Sequence, residues 1–220
     1  MDLDALLRFL DPYLDQDFQP PPYDPAIAAV ILPSAGRSQG LHERLLQRHN
    51  GFYAFGGLLH VLGACAAPPN HALPAWNDPS GWRHAWGYVL DGCVFFAQSA
   101  FGDQFGYRAG KIIRFRALEG RVDAMHASLE EWLEAVILDP EFSLEKRMFD
   151  ACVRALGPLP HGGHFAPLET QNPDSLLDPT RMQIIPTRDS LETKAAHVKN
   201  GTSPRRRTSN MPAFPRPPRA

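Results

Sequence analysis

The clearest periodic signal in the chain lies between Ser128 and Asp139. Leu129, Trp132, Leu133 and Val136 recur at i, i+3, i+4 and i+7, which makes one face of a helix apolar. Ser128 and Glu131 form a capping box at its start, Glu130 and Glu131 favour the positive end of the helix dipole, and Asp139-Pro140 ends it. A second helix is predicted from about Leu144 to Leu156, with Met148, Phe149, Cys152 and Leu156 inward and Gly157-Pro158 as its stop. Leu41 to His49 predicts another: Leu41, Leu45 and Leu46 share a face and Asn50-Gly51 follows. Asp4 to Leu10 starts a short helix, and Asp189 to Lys199, capped by Asp189, forms the last.

Between these helices the pattern is that of strands. Cys93 to Ala97 is a continuous apolar run, suited to a strand buried on both faces. Gln104–Arg108 and Lys111–Arg116 flank Ala109-Gly110, a turn of hairpin length; Ile113 and Phe115 share one face, Arg114 and Arg116 the other. Arg121–His126 follows the Glu119-Gly120 turn. Phe52 to Leu62 is broken by Gly56-Gly57, which fits either one bulged strand or two short ones, and Met182–Ile185 predicts a short strand. The expected fold class is α+β, an antiparallel β-meander with helices packed around it. Asp17 to Pro25, with Pro20, Pro21, Pro22 and Pro25, predicts an extended arm on the surface, and Ala66 to Pro79 a loop.

Composition adds less. With 44% apolar and 21% charged residues, the 220-residue chain is ordinary globular protein. The net charge of −2 conceals an asymmetry: residues 201–220 hold five arginines and no acid, and residues 1–200 carry 17 basic against 24 acidic side chains, a net of −7. The Pro, Arg, Ser and Thr content of the tail predicts disorder, and its charge allows at most weak, salt-sensitive contact with nucleic acid. No run approaches the roughly 18–20 apolar residues of a membrane span. Asp2 and Asp4 stand where a signal peptide needs positive charge, so the chain is expected in the cytoplasm. Cys65, Cys93 and Cys152 are odd in number and widely spaced, and read as buried thiols rather than disulfide or zinc partners.

No motif assembles a catalytic centre. His161-Gly162-Gly163-His164 supplies two imidazoles where zinc needs three or four ligands, and a tight loop explains it better; neither metal nor cofactor is expected. Asp103, in Phe101-Gly102-Asp103-Gln104-Phe105, suits either a base of raised pKa or a turn-holding acceptor, and the second fits better. G-x-S-x-G and the glycine-rich phosphate loops are absent from the sequence. Trp76, Trp82 and Trp86 fall close together, as core residues or as a platform for a ligand. The chain therefore reads as a non-enzyme.

Three stretches together resemble the SUKH superfamily, named for the fungal Smi/Knr cell-wall regulator. They are Asn50-Gly51-Phe52-Tyr53-Ala54-Phe55 with Leu58-Leu59-His60-Val61; Trp76-Asn77; and the run from Val94 to Pro140. That run contains Phe95-Phe96-Ala97, Phe101-Gly102-Asp103-Gln104-Phe105, Ile113-x-Phe115 and Ala127-Ser128-Leu129-Glu130-Glu131-Trp132-Leu133. The resemblance implies an α+β domain over residues 41–199, preceded by a short helix and Pro-rich arm over 1–40 and followed by the tail at 201–220. Many bacterial members of that family look like immunity proteins, which bind and neutralise a toxin, often a nuclease or deaminase; fungal relatives look like signalling scaffolds. For this chain the resemblance implies a protein-binding role, with a toxin domain as partner. The alternative is a regulatory scaffold whose Pro-rich arm and Arg-Pro tail are docking segments. The expected contact surface is exposed aromatics ringed by acids near a concave sheet face: Trp76, Trp82, Trp86, Asp103 and Gln104. The acidic body suits a cationic partner.

Overall fold

A computed structural model describes residues 3–168 and 178–199; the tail at 201–220, expected to be disordered, lies outside the described residues. Six strands form an antiparallel meander in chain order: β1 (Phe52–Ala54), β2 (Leu59–Val61), β3 (Val94–Ser99), β4 (Gln104–Arg108), β5 (Lys111–Arg116) and β6 (Arg121–Ala124). The break at Gly56-Gly57 resolves as two strands, because Phe55, Gly56 and Gly57 all take positive φ in the turn between them. Ala109 and Gly110 (φ 51° and 72°) make the two-residue β4–β5 turn, whose left-handed pair matches the twist of the strands. A second sheet pairs β7 (Gly163–Pro167) with β8 (Met182–Pro186).

Helices cover both faces of the meander. On one face lie α1 (Leu3–Leu10), α3 (Gln39–Arg48) and α5 (Leu129–Leu138). Trp132 of α5 packs on Phe96 and Phe105, and His42 of α3 meets Phe96 and Tyr107. The other face takes the short α4 (Leu73–Asn77) and the 3-10 segment Trp82–Leu90, with Trp82 on Phe95 and Trp86 on Phe115. The inner side of α8 (Thr187–Lys199) packs over that segment and over β7 and β8. A register shift between Phe95 and Ala97 makes this division work: Phe95 and Gln98, three residues apart, point to the same face, while Phe96 reaches Trp132 on the other.

Several sequence expectations are corrected. Residues before 41 are not an appended arm: Leu6, Leu7, Leu10, Ala28, Leu32 and Ala35 join the common core. A helix, α2 (Pro25–Ile31), was not foreseen; Asp24 caps it, accepting from the Ala26 and Ile27 N–H groups, with Pro25 in its first turn. The Pro-rich stretch does lie on the surface, held by Asn50 Nδ2 donating to the Pro21 and Pro22 carbonyls. The stretch read as a loop contains α4, with Pro74 in its first turn. The helix expected from Leu144 to Leu156 is α7 (Lys146–Leu156), with Leu156 exposed rather than inward; a further short helix, α6 (Pro140–Leu144), precedes it, separated by Glu145 in the left-handed region (φ 63°). α8 starts at Thr187, so Asp189 lies within its first turn rather than at its cap. The α5 box closes with one change: Ser128 Oγ accepts from Glu131 N–H, but the Glu131 carboxylate returns to Ala127 N–H. All three cysteines are buried thiols.

Candidate functional site

The five residues expected at a contact surface are inside the protein. Trp76 and Gln104 are fully buried, Trp82 and Trp86 are 1% and 4% exposed, and Asp103 8%. None can anchor a docking protein in this conformation. For four of them the physical reason lies in their polar atoms, whereas the Trp86 indole N–H is buried with no hydrogen bond among the described residues. Trp76 Nε1 donates to Gln104 Oε1 at 2.9 Å and Trp82 Nε1 to the Trp76 carbonyl at 2.9 Å, so both large indoles bury their area with their N–H satisfied. Asp103 Oδ2 accepts from Arg114 Nε at 2.6 Å, and Arg114 also reaches Glu145 at 3.5 Å. Trp76 and Gln104 meet directly; Trp86 packs apart from them against Phe115, and Asp103 turns to Arg114.

Trp76 and Gln104 belong instead to a buried polar row that sequence reasoning missed. The register sets Tyr53 opposite His60, His60 opposite Gln98 and Gln98 opposite Gln104, one residue from each of four neighbouring strands. His71 and His164 close over this row. The trace of it in the sequence is slight: single polar residues inside apolar runs, His60 after Leu58-Leu59 and Gln98 after Phe95-Phe96-Ala97.

One donor-only group fixes the direction of the whole network. The Trp76 indole can only donate, so the facing Gln104 atom is its oxygen and the other end is its amide nitrogen. That nitrogen donates to the Gly102 carbonyl (3.1 Å) and to Gln98, whose facing atom is therefore Oε1 (3.4 Å). Gln98 Nε2 then donates to His60 Nδ1 at 2.8 Å, which leaves His60 with its proton on Nε2. His60 Nε2 donates to His71 Nδ1 at 2.8 Å, and His71 Nε2 to the Asn50 carbonyl at 3.1 Å. On the other side His164 Nε2 donates to Gln98 Oε1 at 3.1 Å. All three imidazoles are neutral with defined tautomers. Burial pushes His60 and His164 well below the ordinary histidine range, with neighbouring imidazoles adding to the effect on His60 and the Lys194 charge to that on His164; burial also lowers His71.

The network ends at His164 Nδ1, a buried lone pair without a hydrogen bond among the described residues. Gly102 lies beside it: a Cβ there would stand 3.0 Å from His164 Nδ1 and 2.6 Å from Lys194 Nζ. Lys194, buried on α8, donates to the Phe101 carbonyl at 3.2 Å, and burial brings its pKa down to about 8 against the opposing pull of Asp103. Tyr53 stacks between His60 and the exposed His161, with centroids 4.0 and 4.2 Å away, and its hydroxyl accepts from Gly162 N–H. His161 and His164 thus go to different places: one stacks outside Tyr53, the other enters β7 and the core. Among the described residues, no group of three or more His, Cys, Asp or Glu side chains is arranged to hold a metal ion. No helix among them is long and apolar enough to cross a membrane.

No protein-family model matches the chain, and no curated protein sequence matches it. Among solved structures it is similar to that of Atu4351 from Agrobacterium tumefaciens, at 15% identity over 84% of this chain and 86% of that one, with a TM-score of 0.58. At that identity the likeness concerns the fold alone: an α+β domain built on an antiparallel six-stranded sheet.

Proposed function

We propose that this chain is a non-catalytic, cytoplasmic protein-binding domain of the SUKH type, an immunity protein that binds and neutralises a cognate toxin. The observation that carries the reading is the state of its chemically capable side chains. His60, His71, His164, Asp103 and Lys194 lie in the interior, and each except Lys194 is bonded to another side chain of the fold. Groups used in this way hold the sheet together and leave the outer surface as the part that meets other molecules. That surface belongs to a body with a net charge of −7 over residues 1–200, suited to a partner with a cationic working face.

The test is co-expression with the product of the adjacent gene, scoring host survival and co-purification. Rescue of a toxic neighbour with a stable complex supports the reading. A toxic neighbour that is neither rescued nor bound refutes it. A non-toxic neighbour that binds favours a regulatory scaffold, and deletion of residues 201–220 then separates the two, because toxin neutralisation survives that deletion and docking through the tail does not.

A further inference from the structure

We propose that the outer face of α5 and the start of α6 form the contact surface for a positively charged protein partner, with Leu138 as its apolar anchor and Glu130, Glu134 and Asp139 as its acidic rim. The inference rests on the binding reading above and gives that reading a place on the molecule.

From Ser128 to Glu145 the chain carries six acids and no base. Four of them are occupied: Glu131 faces Arg37 and bonds Ala127 N–H, Glu141 accepts from Arg147 N–H, Glu145 meets Arg114, and Asp139 accepts from Phe142 N–H at the cap of α6. Glu130, Glu134 and Asp139 have no cationic partner among the described residues. Glu130, Glu134 and Leu138 are spaced four apart, so they run along one side of α5, opposite the buried Leu129, Trp132, Leu133, Val136 and Ile137. Like charges at that spacing repel, so the stripe weakens the helix it sits on. Leu138, 69% exposed, ends the stripe, and Phe142, 57% exposed, follows one turn later in α6.

An apolar centre with a charged rim is the anatomy of an interface whose core supplies affinity and whose rim speeds encounter. The charge of the rim selects the occupant: a cationic surface relieves the Glu130–Glu134 repulsion, and an acidic or neutral one does not. Val30 supplies the contrast, since it is 78% exposed on α2 within Pro25–Ser38, a stretch without any acid. The chain's own arginines at 201–220 are the other cationic candidate. A chain lacking residues 201–220 separates them from a partner protein.

The experiment uses the full chain and the purified product of the adjacent gene, with Kd measured by titration calorimetry at 50 and 200 mM NaCl. The variants are Glu130→Arg/Glu134→Arg, Leu138→Arg, the control Val30→Arg, and a chain lacking residues 201–220; circular dichroism checks that each is folded. The expected result is a Kd weakened about 100-fold by the double charge reversal and by Leu138→Arg. The salt dependence of binding shrinks in the charge-reversed protein, and Val30→Arg binds like the parent. If the parent binds and both α5 variants bind equally well, the surface is wrong while the binding reading stands. If the parent fails to bind, the reading falls and the surface with it. Tighter binding on removal of residues 201–220, seen only with Glu130 and Glu134 intact, makes the tail the occupant and overturns the assignment to a partner.

Discussion

The interior predicts a steep loss of stability in mild acid. His42, His60 and His164 are fully buried and neutral; burial takes His42 down to about 3 and the other two well below their ordinary value. The unfolded chain protonates all three near pH 6.5, whereas the folded chain does not, so the unfolded state binds more protons as pH falls. The contribution is fully present above pH 6.5 and is lost on acidification. At pH 7.5 the loss is under about 0.1 kcal/mol per histidine; at pH 5.5 it is about 1.4 kcal/mol each, or about 4 kcal/mol for the three. Asp15 works in the opposite direction, because burial raises its carboxyl and the folded chain takes up that proton at higher pH than the unfolded one. A domain of this size is stable by about 5–15 kcal/mol, so 4 kcal/mol is a large share.

Urea unfolding at pH 7.5, 6.5 and 5.5 measures this directly. The expected free energy is nearly level from 7.5 to 7 and falls progressively faster below 6.5. His42→Gln isolates one term: whatever it does to absolute stability, the drop between pH 7.5 and 5.5 shrinks by about 1.4 kcal/mol, because one fewer histidine titrates on unfolding. Proton NMR of the folded protein supplies an independent check, with the three imidazole C–H signals unmoved down to pH 5.5. A stability curve flat from pH 7.5 to 5.5 would falsify the neutral-histidine interior, as would imidazole shifts with midpoints near 6.5.

Further predictions concern single side chains. Trp76→Phe strands Gln104 Oε1 and releases the constraint that orients Gln98, costing about 1–3 kcal/mol beyond the lost packing, read from the urea midpoint. Arg114→Met leaves Asp103 buried without its partner and costs about 3–5 kcal/mol; the double variant Arg114→Met/Asp103→Leu recovers much of that loss in a thermal melt. Lys194→Met raises stability at pH 7 by about 1–3 kcal/mol. The lysine's pKa falls from 10.5 to about 8 on folding, so its charge opposes folding at neutral pH, and the gain fades as pH rises from 8 towards 10.5.

The features legible in the sequence are those set by neighbours along the chain. The Ser128 cap, the Leu129–Val136 stripe and the Ala109-Gly110 turn each depend on a few consecutive residues, and each is found where the pattern puts it. Two missed helices were equally local. Asp24-Pro25 is a cap followed by a first-turn proline, and Pro74 lies in the first turn of α4, which has no capping side chain, but prolines crowded nearby made both stretches read as extended or loop. The tryptophans failed for a different reason. A run of indoles gives no sign of whether each N–H faces water or a buried acceptor, and here the acceptors for Trp76 and Trp82 are Gln104 Oε1, 28 residues away, and the Trp76 carbonyl.

The polar row could not be read from the sequence because it is a property of register. His60, Gln98 and Gln104 become neighbours only after β2, β3 and β4 pair, and Gln98 faces Gln104 on the same side as Phe95 only because β3 bulges between Phe95 and Ala97. A strict two-residue alternation places Phe95 and Gln98 on opposite faces, and the amide then meets the apolar cluster of Phe96, Phe105 and Trp132. Phe96, next to Phe95 and on the opposite face, meets Trp132, the residue through which α5 is seated. The bulge thus admits the hydrogen-bonded row to one face and keeps its amide off the apolar seat of α5 on the other, and the acids of α5 face outward because Trp132 and its apolar neighbours are held inward.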